Sequence, residues 1–147
     1  MGEKALLFGF SVFLGVIIAV HLAMNARVGE LLGSPRAGNS LFWLIGAVTG
    51  LIIWAAGGEW VALQRAQTVP GGLWLAGVFG ASLVLGVSYT MPRLGAGPTT
   101  IGLLAGQLIA GIVISHFGWL SPQAIPVSAT KLVGVGAVAV GIYLVVF

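Results

Sequence analysis

A few polar side chains are the only groups in this sequence whose type and setting suggest chemistry. His21 and Asn25 stand four residues apart, which places them on one face of a helix. Ser88 and Tyr89 are adjacent, and Gln107 stands within a long uncharged run. An imidazole is the side chain suited to exchanging protons near neutral pH. His21 is therefore a candidate for proton coupling, although a lone histidine is more often a packed structural group. Gln107 carries a donor and an acceptor that an apolar medium leaves unsatisfied. It reads either as an interhelical hydrogen bond or as a contact to a bound solute. Asn25 reads equally as a helix-end hydrogen bond or as a binding group. Tyr89 reads first as an interfacial anchor, and Ser88 as a hydroxyl returned to its own helix backbone. Together His21, Asn25, Ser88, Tyr89 and Gln107 are expected to line one cavity.

Other chemistries lack their parts. His116 has no second histidine or carboxylate at ligand spacing, so no metal site is expected. Cysteine is absent, which removes disulfides, thiolate ligands and a thiol nucleophile. There is no phosphate-cradling glycine loop ending in lysine, no carboxylate pair, and no serine with plausible histidine and acid partners. No enzyme activity and no cofactor are expected. The six Lys and Arg residues are spread through the chain rather than clustered, so nucleic acid is not an expected partner.

The elements that must position these groups follow from composition. Six basic and three acidic residues are set against 59% hydrophobic residues, with a mean hydropathy of +1.11. That is too little charge to solvate a domain, so the chain's main partner is the lipid bilayer. A spanning helix needs about 20 apolar residues, since only helices and closed barrels satisfy their backbone polar groups in lipid. The apolar runs lack strict alternation and are too long for barrel strands, which excludes the barrel. Charges and prolines divide the chain into five transmembrane helices, approximately 5–26, 38–58, 71–91, 99–118 and 129–147, in a single membrane domain. Pro98 opens the fourth span and the Ser121-Pro122 break closes it, while Ser128 can cap the fifth, whose first turn holds Lys131. The first apolar run is too long for a signal core and lacks a small-residue cleavage site, so it is expected to remain as a helix. Trp43, Trp54, Trp60 and Trp74 are expected near span ends, at headgroup level. Glu59, Trp60 and Arg65 are expected on a short surface helix between spans.

Five spans place the two ends of the chain on opposite sides of the membrane. By that count Lys4, Arg65 and Lys131 share one face, and Arg27, Arg36 and Arg93 the other. The positive-inside bias that normally fixes orientation is missing. Balanced charge predicts dual topology, with copies inserted both ways and paired as an antiparallel homodimer, an inverted repeat of the kind secondary transporters use.

Lipid supplies no hydrophobic drive between helices, so close packing depends on small residues at helical spacing. Gly102, Gly106 and Ala110 form such a stripe on the fourth span, and Gly134, Ala137 and Gly141 on the fifth. Gly72, Ala76 and Gly80 do so on the third, and Gly46 and Gly50 on the second. The fourth and fifth spans are the expected dimer contact.

Several segments resemble one family closely. NARVGELLGSP at 25–35, SYTMPRLGAGPTT at 88–100 and AGQLIAGIVISHFG at 105–118 resemble the YdcZ family of the drug/metabolite transporter superfamily, and the likeness spans nearly the whole chain. Gly106-Gln107 and His116-Phe117-Gly118 are its more specific pieces. The resemblance implies a half-length, five-helix transporter of the cell (inner) membrane, half of a ten-helix inverted-repeat assembly. Two positions depart from the family pattern. Ser115 stands where an aspartate often precedes the His-Phe-Gly end of the fourth helix, and His21 stands where glutamine is commoner. Without that acid, strict exchange of protons for a cationic drug is less expected than a neutral, weakly polar or lipid-like substrate or uncoupled passage, unless His21 substitutes for it. The competing readings are a non-transporting scaffold or accessory subunit, and a lipid-handling or channel-like protein.

Overall fold

The computed structural model of the chain describes residues 2–120 and 124–146; the expected break at Ser121 and Pro122 lies outside the described residues. The structure is 88% helical, with no strand among the described residues. Its helices are α1 (Gly2–Leu31), α2 (Pro35–Gly57), α3 (Trp60–Gln64), α4 (Leu75–Leu94), α5 (Ala96–Phe117) and α6 (Ala129–Val146). All but α3 belong to segments long and apolar enough to cross a membrane, which makes five spans.

Several ends differ from the boundaries expected from charge and proline. The first helix continues past Ala26 to Leu31, because neither Gly nor Pro interrupts it there until Gly29 and the exposed pair Arg27–Glu30 (2.9 Å) solvates the extra turn. It stops at Gly33, whose φ of 62° suits a residue without Cβ. Ser34 then caps α2 by accepting from the Ala37 N–H, and Pro35 takes the first helical position, where no N–H is needed. The fourth span starts at Ala96 rather than Thr99, since Pro98 falls within its first turn and displaces no helical hydrogen bond. The third span enters through a short 3-10 turn, Gly71–Trp74, before α4 proper.

The chain groups into two compact units, residues 1–93 and 94–147. In the first, α1 and α2 form a hairpin whose backbones nearly touch. A Cβ built on Gly38 would lie 2.9 Å from both Cα and N of Gly29, and one on Gly29 would lie 3.2 Å from Cα of Pro35. On α1 the buried residues Leu22, Asn25, Ala26 and Gly29 keep helical spacing, as do Val84, Val87, Ser88 and Met91 on α4. Trp43 lies two turns inside α2 rather than at a span end, and its ring covers Gly80 at 3.1 Å from that residue's built Cβ. Trp54 packs edge-on to Trp60, with centroids 4.3 Å apart.

In the second unit α5 ends at Gly118, in the left-handed region at φ 67°, and the chain turns back over that end. The Ile125 N–H donates to the Ser115 carbonyl at 2.7 Å, and the Val127 N–H to Nδ1 of His116 at 3.2 Å. Ser128 caps α6 by accepting from the Lys131 N–H. The His-Phe-Gly segment thus has a local structural role, in which its histidine and glycine close the turn between two spans.

Candidate functional site

Four of the five polar residues with chemical promise lie in the first unit. Asn25 is 4% exposed and Ser88 2%. The Asn25 amide Nδ2 donates to the Ser88 hydroxyl at 2.8 Å, and that hydroxyl donates to the Val84 carbonyl at 2.9 Å. This chain of bonds ties α1 to α4 through a buried contact. A buried polar group is tolerable only when so paired. His21, half-buried one turn earlier, stacks on Phe42 of α2, with centroids 5.3 Å apart and planes 13° from parallel.

The tie has a companion that the residue types alone did not suggest. Asn39 near the start of α2 donates to the Ala81 carbonyl of α4 at 3.3 Å. Both amides reach α4, one from each neighbour, and together they fix its register against the hairpin. Asn39 stands at the start of the second span, and its type alone does not say that it reaches another helix. The Gly29–Gly38 approach is equally quiet in sequence, because its two glycines sit on different helices and neither belongs to a repeated stripe.

Tyr89 is exposed, at the last turns of α4. The guanidinium of Arg93 lies 3.6 Å from its ring centroid and donates to its carbonyl. These two residues line a cleft of about 710 Å3 shared by the start of α2 and the end of α4, with Ser34, Pro35, Arg36 and Leu85 among the other walls. Among the described residues no acidic side chain lines it.

Gln107 belongs to the second unit and is exposed on α5. The stripe glycines of that unit are open as well. A Cβ built on Gly102, Gly106, Gly134 or Gly141 meets no atom of the described residues within 4 Å beyond its own helix backbone, and Ala110 and Ala137 are exposed. Among the described residues no group of three histidine, cysteine or acidic side chains is placed to hold a metal ion.

The sequence model of a family described as "putative inner membrane exporter, YdcZ" matches residues 6–144. No curated protein and no solved structure matches the chain.

Proposed function

This chain belongs to the YdcZ family of inner membrane exporters, and from that premise we propose that two copies, inserted in opposite directions, build one ten-helix transporter working by alternating access. Membership makes it a multi-pass transporter of the inner membrane. The observation carrying the rest is the open face of the second unit: the glycine stripes of α5 and α6 permit close helix approach, yet nothing among the described residues occupies them. A second copy supplies matching stripes. The odd number of spans and the even split of basic residues make the opposite orientation available to it.

Glu3 and Glu30 lie in terminal turns of α1, and Glu59 lies between spans, so no carboxylate stands at mid-membrane to exchange a proton for a cation. The substrate in this reading is neutral, weakly polar or lipid-like. His21 on α1 and Gln107 on α5 are polar side chains within the spans.

Orientation is the direct test. Reporters fused after α6 are expected on both sides of the membrane in comparable amounts. Adding one lysine to the face of Arg65, as in Gln67→Lys, is expected to drive most copies into a single orientation and to reduce transport with it. A reporter found on one side only would sink the homodimer. Gln107→Ala tests the cavity: pairing is expected to persist while transport by reconstituted protein falls. Loss of the pair would assign Gln107 to helix packing instead.

A further inference from the structure

The cleft between the start of α2 and the end of α4 has a charge that the transport reading does not use. It is lined by two arginines, Arg36 and Arg93, and, among the described residues, by no acid. The acid closest in sequence to Arg36 is Glu30, which is engaged by Arg27 at 2.9 Å. Arg93 is held in place, with its guanidinium against the Tyr89 ring and bonded to the Tyr89 carbonyl. The Arg36 side chain makes no hydrogen bond or ion pair among the described residues. Two cations of like sign facing one space, one fixed and one unpaired, favour an anion between them. Guanidinium groups match the oxygens of a phosphate through paired N–H donors.

Size and position narrow the class further. A volume of about 710 Å3 lies within the range of small-molecule sites, roughly 300–1,000 Å3. The cleft lies at helix ends, beside the first turn of α2 and the last turns of α4, so its arginines stand at the depth of lipid headgroups. Its wall also contains Leu85 and Gly86, deeper along α4 than Tyr89, which give an apolar surface running from the headgroup level into the span. A wholly polar solute would leave that surface uncovered.

We propose that this cleft is a binding site for a phosphate-bearing headgroup, with Arg36 and Arg93 on the phosphate oxygens and an acyl chain along the Leu85–Gly86 surface of α4. The site is independent of export and stands whether or not the paired-transporter reading does. A free phosphoryl compound shares the headgroup's chemistry and is separated from it by the test.

The test uses full-length protein in neutral detergent, with binding followed by thermal stability on titration. The probes are short-chain phosphatidylglycerol, a short-chain diacylglycerol of the same chain length, which has no phosphate, and glycerol 3-phosphate. Phosphatidylglycerol is expected to stabilise the protein at lower concentration than the diacylglycerol. Arg36→Gln is expected to weaken it on the order of tenfold, the size of one charged hydrogen bond. Arg36 bonds nothing through its side chain, so this variant keeps the fold, and Arg36→Lys is expected to restore part of the affinity. Equal response to glycerol 3-phosphate would assign the site to a free phosphoryl compound and overturn the acyl-chain part. Equal response to the two lipids, an unchanged affinity in Arg36→Gln, or no binding of any probe would overturn the site altogether.

Discussion

Gly38→Ala is expected to destabilise the protein by about 1–3 kcal/mol, the range for overfilling a close contact, even though it adds a single methyl group and improves helix propensity. The added Cβ would meet Cα and N of Gly29 at 2.9 Å and the Val28 carbonyl carbon at 3.5 Å. All three atoms are backbone of α1, so no rotamer change relieves the clash and the hairpin must open. Gly80→Ala provides a graded comparison. Its Cβ meets the far edge of the Trp43 ring at 3.1 Å, and a side chain can give where a backbone cannot. Gly15→Ala is the control, since a Cβ there meets nothing within 4 Å. It is expected to be neutral, or stabilising by about 0.5–1 kcal/mol through loss of glycine's conformational freedom. Unfolding of the three variants in detergent or bicelles is the measurement. If Gly38→Ala unfolds like Gly15→Ala, the close approach of α1 and α2 is not what holds the hairpin.

That contact also shows where sequence reading stops. The five spans are legible because charge is so scarce here that Lys, Arg and Glu mark most of the gaps and prolines divide the long uncharged run 94–130, while lipid forces the apolar runs to be helical. Family membership is legible in the segments at 25–35, 88–100 and 105–118, within the matched range 6–144. Contacts between helices are another matter. A stripe such as Gly102-Gly106-Ala110 is visible because the spacing lies within one helix. The pairing of Gly29 with Gly38 depends on how tightly Gly33 and Ser34 turn the chain, which no periodicity encodes. Gly72, Ala76 and Gly80 form one visible stripe, yet among its two glycines only Gly80 has a neighbour against it. Likewise Asn25 and Ser88 each attract notice as polar residues in a span, but a sequence cannot say that one is the other's partner. Helix ends shift for simpler reasons: a proline tolerated in a first turn extends one helix past the boundary that the proline suggests, and a solvated ion pair extends another past the boundary that charge suggests.

Breaking the Asn25–Ser88 tie from its two ends is expected to have unequal effects. Each single substitution breaks the same 2.8 Å hydrogen bond, yet the two leave different groups behind. Ser88→Ala strands the Asn25 amide, which is 4% exposed and has lost its acceptor. Asn25→Leu strands nothing, because the Ser88 hydroxyl keeps its bond to the Val84 carbonyl. An unmet buried donor costs about 1–3 kcal/mol, whereas replacing a polar partner by an apolar side chain is often close to neutral. In membranes, side-chain hydrogen bonds average about 0.6 kcal/mol and reach about 1.7, so Ser88→Ala is expected to cost about 1–2 kcal/mol and Asn25→Leu clearly less. In the double variant the amide is no longer present to be stranded, so most of the Ser88→Ala loss is expected to return. A cycle of unfolding free energies measures this coupling directly. Additive losses would mean that the two residues act separately. The same variants carry a functional consequence. If Asn25 serves only to hold α1 on α4, reconstituted Asn25→Leu protein retains transport in proportion to its folded fraction. A loss of transport with the fold intact would place Asn25 in the substrate's path instead.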